Sequence, residues 1–328
     1  MCALFGWLDY KGIVPYRILK KLTQALGNAA EERGTDAAGI SYIKDGKVII
    51  FKRPKPAHKI YFNPPEGIIA VMGHTRMTTQ GDGKLNYNNH PFPGTAGDTD
   101  FAFAHNGVLW NDKELRKENV IPDSYIETDS YIAVQLIEKQ NKLSFDSLKY
   151  MAETVEGNFT FTVLDQNNSL YIIKGSNPMC LLHFPVLGLY VYASTESIMK
   201  SAISKIGLHK FASDRITTEE GDILCIDHNG NITRSEFEPK IYRSKYAAWY
   251  DFDDPSYCNS NLYEELLLAY CGCYGVDSAD VELLLEYGYT CDEIEEMLME
   301  PSLLQEAIND IKFGAGESLY ESCCGGAW

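Results

Sequence analysis

The sequence predicts a layered α+β domain followed by a small helical one, on three observations. From Met1 to about residue 240, short β-like runs alternate with amphipathic helical runs. The strands form two groups with enough helices to cover both, the pattern of packed layers around a core. Beyond residue 240 the charge changes: residues 244–328 hold 18 Asp and Glu against Lys245 and Lys312, leaving 28 acidic and 27 basic residues in the rest. Nearly all of the net charge of −17 therefore sits in the last part of the chain. The expected domains are residues 1–240 and 241–328.

ALFGWL, directly after Cys2, reads as a first strand. A helix follows over about 15–32, with Ile18, Leu19, Leu22, Ala25, Leu26 and Ala29 on one face. AGISYI, KVIIFK, GIIAVMGH and FAFAHN read as strands. Thr128 or Asp129 is suited to cap a helix through IAVQLIEKQ, and another helix is expected near 144–154. FTFTVLD, SLYIIK, MCLLHF and LYVYAS are short strands, followed by a helix over Glu196 to Ser204 and a last strand at DILCID. SKYAAWYDFDDPSYCNSN reads as a linker. ELLLAY, DVELLLEYGY and DEIEEMLMEPSLLQEAI then read as short helices, with stripes of Leu283, Leu284 and Tyr287 and of Ile294, Met297 and Leu298. GESLYESCCGGAW reads as a loose tail.

An acidic surface repels phosphate backbones and anionic lipid heads, which argues against nucleic acid or membrane as a partner. No apolar stretch is long enough to span a bilayer and the N-terminus lacks the order of a secretory signal, so the expected location is cytoplasmic. An odd count of nine cysteines in such a setting implies reduced thiols. Cys271 with Cys273, and Cys323 with Cys324, lack the CxxC spacing of zinc and iron–sulfur ligands, so no metal or cofactor is expected.

Cys2 is the residue with most chemical potential. After removal of Met1 it carries a thiol and a free α-amine on adjacent carbons, with ordinary pKa values of about 8.5 and about 8, so one residue supplies nucleophile and base. The alternative is a small buried cysteine in a first strand. MCALFGW at the start, ERGTDAAGI at 32–40, GHTRMTTQG at 73–81, NNHPF at 88–92, AHNGVLWN at 104–111 and ETDSYIA at 127–133 follow in an order and spacing that resembles the class II glutamine amidotransferases. The resemblance covers about residues 2–230, with weaker echoes at GSNPMCLL, 175–182, and YASTES, 192–197. It implies the N-terminal-nucleophile fold, a four-layer αββα sandwich.

The resemblance assigns roles that suit hydrolysis of a side-chain amide. Cys2 is the nucleophile. Asn106 and Gly107 supply oxyanion donors, against an ordinary Asn-Gly turn as the alternative. Arg76 is the fork for an α-carboxylate, or else a structural ion pair. Asp129 holds the α-ammonium, or caps a helix, or both. Thr79 sits in a segment that closes over glutamine, with Gly81 and Gly83 giving it freedom. Arg33 lies near the nucleophile, with a pair to Asp36 as the alternative. His90 is kept among the substrate-side candidates, although His74, His90 and His105 all read as supporting or core residues, because the family's base is the α-amine. Met77 stands where many members carry an aromatic, and Ser130-Tyr131 where many have Thr-Glu. The expected function is glutamine hydrolysis with ammonia passed to an acceptor enzyme on a separate chain, since no pyrophosphatase loop, phosphoribosyl-binding strand or isomerase-sized domain is present. The rivals are hydrolysis of another γ-glutamyl or small amide, and a glutamine-binding regulatory module without turnover.

Overall fold

The structure, a computed structural model, describes residues 2–118, 121–239, 268, 271, 276–289, 291–298 and 303–312. The chain divides into two compact units, Met1–Tyr242 and Arg243–Trp328.

The first unit is a mixed α/β arrangement of two antiparallel sheets. One sheet runs in the order β11-β9-β10-β1-β4-β2-β3, with β1 Ala3–Asp9, β2 Ala37–Lys44, β3 Lys47–Arg53, β4 Ala70–Arg76, β9 Cys180–Phe184, β10 Leu189–Ala193 and β11 Asp214–Ile216. The other runs β13-β12-β8-β7-β6-β5, with β5 Phe92–Ala96, β6 Thr99–Leu109, β7 Gly157–Asp165, β8 Leu170–Lys174, β12 Asp222–Ile226 and β13 Ile232–Glu236. The helices are α1 Tyr16–Ala29, α2 Asp112–Lys117, α3 Tyr131–Lys139, α4 Phe145–Thr154 and α5 Glu196–Ile206.

The first strand shows why this chain stacks its sheets. All seven residues of β1 are buried, and they alternate between two cores. Phe5 and Trp7 join Leu19, Leu22 and Leu26 of α1 and Ile198 and Met199 of α5. Leu4 and Leu8 join Met72 of β4, Ala102 and Ala104 of β6, Leu164 of β7 and Ile172 of β8, which belong to both sheets. A strand apolar on both faces must be covered on both. A third core sets Phe101, Phe103, Phe161 and Val163 of the second sheet against Ile132, Leu136, Leu148 and Met151 of α3 and α4. Serine at both ends of the first turn starts α4: Ser144 Oγ accepts from Ser147 N–H at 3.3 Å while Ser144 N–H donates to Ser147 Oγ at 2.9 Å.

Three differences from the sequence reading have local causes. The first helix ends at Ala29 and continues only as a single 3₁₀ turn, Ala30–Glu32. The N-cap of α3 is Ser130 rather than Thr128 or Asp129, and it makes no side-chain cap bond: its hydroxyl meets His105, while the Asp129 carboxylate accepts from Leu109 N–H of β6. The short elements β5, β11, β13 and α2 carry too few residues for a periodic signal.

In the second unit, helices over Ser278–Glu286, Cys291–Leu298 and 303–312 bury Val281, Leu284, Ile294, Leu298, Leu304, Ile308 and Ile311 together, with Cys271. Leu283 and Met297 pack against this cluster, whereas Tyr287 is 58% exposed, which takes it off the expected stripe. The linker at 244–261, most of ELLLAY and the terminal GESLYESCCGGAW lie outside the described residues.

Candidate active site

The motif residues of the first sheet meet because three adjacent strands carry them. β1 pairs with β4 so that Ala3 lies opposite Thr75, which sets Cys2 beside Arg76. β4 pairs in turn with β2, Ala37 opposite Arg76, and the turn before β2 holds Arg33. Arg33 Nε donates to the Cys2 carbonyl at 2.9 Å, and the Cys2 Sγ lies 3.5 Å from the carbonyl of Met77. Asp36 accepts from Thr78 N–H at 2.8 Å. Burial pushes the Cys2 thiol above its ordinary pKa; the Arg76 charge opposes that shift and the Asp129 charge adds to it. A thiol held in this way needs a base to be deprotonated near neutral pH.

None of the three histidines is arranged to be that base. His74 Nε2 lies 2.9 Å from the His105 carbonyl, and His105 Nδ1 lies 2.8 Å from Ser130 Oγ. Burial drives His74 and His105 down to about 3 and His90 well below its ordinary value, so all three stay neutral and weakly basic at pH 7. His90 is 3% exposed, with its ring 4.2 Å from His74 and 4.3 Å from Phe92 between centroids.

Arg76, buried at the end of β4, is held by its surroundings as well as by charge. Its Nη1 donates to Asn89 Oδ1 at 2.7 Å and its Nη2 to the Gln80 carbonyl at 2.6 Å. The segment after it is fastened rather than loose. Gln80 Nε2 donates to Asp112 Oδ2 and to the Glu127 carbonyl, Asn89 Nδ2 donates to the Gly83 carbonyl, and Asn88 Nδ2 donates to Glu127 Oε2 at 2.7 Å. Thr79 itself is exposed. Gly81 adopts φ of +76°, a left-handed conformation that suits glycine, so it shapes a tied turn. Lys52 Nζ donates to the carbonyls of Asn89 and Pro91, and burial lowers its pKa to about 8. Sequence reasoning singled out the motifs but not Asn88, Asn89, Glu127 or Lys52 within or near them. The paired asparagines of NNHPF were the visible signal; Lys52 had none.

The second sheet brings Asn106, Gly107 and Asp129. Asn106 and Gly107 lie inside β6, with Gly107 opposite Phe159 of β7, so they do not form an Asn-Gly turn. Asn106 is fully buried, its Nδ2 is 3.5 Å from Ser194 Oγ, and its Oδ1 has no hydrogen-bond partner among the described residues. Ser194 Oγ also accepts from Leu4 N–H at 2.8 Å, two residues from Cys2, which ties the two sheets at this point. Gly107 has φ of +146°, and a Cβ there would lie 1.8 Å from the Asn158 carbonyl. Asp129 Oδ2 accepts from Leu109 N–H at 2.6 Å, and burial raises the carboxyl above its ordinary pKa. Among the described residues no group of three His, Cys, Asp or Glu is placed to hold a metal, and no helix is long and apolar enough to cross a membrane.

No family model matches the chain. Curated relatives do. The glutamine–fructose-6-phosphate aminotransferase of Staphylococcus epidermidis (strain RP62A) is 31% identical over 189 residues, 55% of this chain and 30% of the relative. That of Staphylococcus aureus (strain Mu50) is 28% identical over 269 residues, 77% of this chain and 40% of the relative. Among solved structures, the glutamine phosphoribosylpyrophosphate amidotransferase of B. subtilis matches 72% of this chain and 49% of its own at a TM-score of 0.56 and 19% identity. The allosteric regulatory enzyme of purine biosynthesis matches 74% and 50% at 0.57 and 21%. The chain is similar in sequence to glutamine-dependent aminotransferases and in fold to glutamine amidotransferases. The two solved structures share the fold of this chain. The chain spans 30–40% of the length of the curated relatives it matches.

Proposed function

We propose that the first unit is a four-layer αββα sandwich that hydrolyses the side-chain amide of glutamine, with Cys2 as nucleophile. The observations that support this reading are the register that sets Cys2 beside Arg76, and Ser194, whose Oγ accepts from Leu4 N–H, two residues from Cys2, and lies 3.5 Å from Asn106 Nδ2. After loss of Met1, the α-amine of Cys2 accepts the thiol proton. The thiolate then forms a bond to the amide carbon, and the carbonyl π pair moves to oxygen, where Asn106 Nδ2 and the Gly107 N–H receive it. The tetrahedral intermediate collapses to a thioester as the amine returns its proton to the departing ammonia. Water adds to the thioester and releases glutamate and the thiol.

Arg76 holds the α-carboxylate and Asp129 the α-ammonium, while Arg33 steadies the first residue through its carbonyl. Thr79 and His90 stand nearby as the segment over the substrate and the packing beneath it. Ammonia passes to an acceptor enzyme, which we place on a separate chain. No cofactor enters this chemistry. Purified protein with Met1 removed is expected to release ammonia from glutamine, and Cys2→Ala to abolish release; full activity in Cys2→Ala would overturn the mechanism. Intact mass fixes the state of the N-terminus in the same sample.

A further inference from the structure

Of the two oxyanion donors in the reading above, one belongs to the backbone, and no side-chain rotamer can aim it. A trans peptide is planar, so the direction of the Gly107 N–H is opposite to that of the Asn106 carbonyl. That carbonyl is not left to the strand ladder alone. Asn177 Nδ2 donates to the Asn106 O at 2.8 Å. Asn177 is itself held on β7: its N–H donates to the Phe159 carbonyl at 3.2 Å, and its own carbonyl accepts from Thr160 Oγ1 at 2.7 Å. Phe159 and Thr160 are the residues opposite Gly107 and Asn106 in the register.

The opposite edge of β6 is the one with substrate chemistry. Its pairing with β5 ends at Phe103, and beyond that point Leu109 N–H reaches the Asp129 carboxylate. An Asn106 carbonyl drawn toward Asn177 therefore sends the Gly107 N–H away from β7. The φ of +146° at Gly107 is one that side chains rarely allow, so no Cβ at this residue helps to fix the peptide plane. An external clamp is what such a peptide needs.

We infer that Asn177 is a positioning residue for amide hydrolysis, which presets the Gly107 N–H as oxyanion donor by holding the Asn106–Gly107 peptide plane. The inference rests on the oxyanion reading of Asn106 and Gly107. Asn177→Ala removes the clamp, and Asn177→Asp replaces the donor by a repelling oxygen at constant size; the second keeps the test alive if the first does not fold. With glutamine, kcat is expected to fall about tenfold or more in both, with KM within about twofold, as when an oxyanion donor is misplaced. The γ-aldehyde analogue of glutamine, whose thiohemiacetal carries the oxyanion, should bind more weakly by the same factor as kcat/KM falls. Glutamate, which binds without forming that oxyanion, should bind unchanged. A merely structural role would weaken glutamate and raise KM as well, and that result, like unchanged kinetics, would overturn the inference. Asn106→Ala serves as the separate control. If it is fully active, the oxyanion site itself is wrong; if it is impaired while the Asn177 variants are not, only the role of Asn177 falls.

Discussion

On the proposed function, Asp129 is the residue whose charge state decides whether an amino-acid head group binds. Burial holds its carboxyl above the ordinary carboxylate value, so the folded chain retains a proton more tightly than the unfolded one. Unliganded stability falls as pH rises through that raised value, since burial disfavours the ionised form. In the proposed function, an incoming α-ammonium favours that ionised form. On the proposed function, kcat/KM for glutamine is expected to rise with pH along an acid limb placed above the ordinary Asp range, and Asp129→Asn to lose both the limb and most of the affinity; a pH–rate profile of the two proteins checks this. Asn89 acts at the same scale. Its side chain joins Arg76 to the Gly83 carbonyl, so Asn89→Ala is expected to raise KM about tenfold with a smaller effect on kcat, read from steady-state kinetics. Within the proposed site, Cys2, Arg76, Asn106 and Asp129 were legible as candidates because each is a chemically distinctive residue inside a distinctive string. The roles of Asn89 and Lys52 were not, since Asn89 bonds the Arg76 guanidinium and the Gly83 carbonyl, and Lys52 bonds carbonyls 37 and 39 residues away, partners that no local pattern announces.

At the scale of elements, the long apolar strands were readable from composition, and the exceptions follow from what periodicity measures. A five-residue strand such as β5, with proline and glycine inside it, offers no alternation to detect. The Asn-Gly dipeptide in β6 mimics a hairpin signal, yet the strand runs straight through it to Leu109. The reason is steric: Gly107 lets β6 approach the Asn158 carbonyl more closely than any Cβ allows. Gly107→Ala is therefore expected to cost several kcal/mol of stability and to abolish amide hydrolysis, seen as a lower melting temperature together with lost ammonia release. Full activity at an unchanged melting temperature would mean that the close approach is not needed.

At the scale of the molecule, the charge break near residue 243 coincides with the division of the chain into Met1–Tyr242 and Arg243–Trp328. Every residue of the proposed chemistry lies in the first unit. A chain cut after Tyr242 is expected to keep glutaminase activity within about twofold, because the three cores around its two sheets are complete without the second unit. Comparison of ammonia release by the full and shortened chains measures it, and loss of turnover in a folded short form would assign the acidic unit a part in hydrolysis. Co-purification from the source cell tests the separate acceptor. The doubly buried first strand has a practical corollary for anyone handling this protein. Because β1 begins at Ala3 and is registered on both neighbours, the thiol has no slack: one residue inserted after Cys2 would carry it about 3.3 Å along the sheet and onto the opposite face. Affinity tags, reporters and fusions belong at the other end of the chain, and any leader placed before Cys2 has to be one that a protease removes to the exact residue.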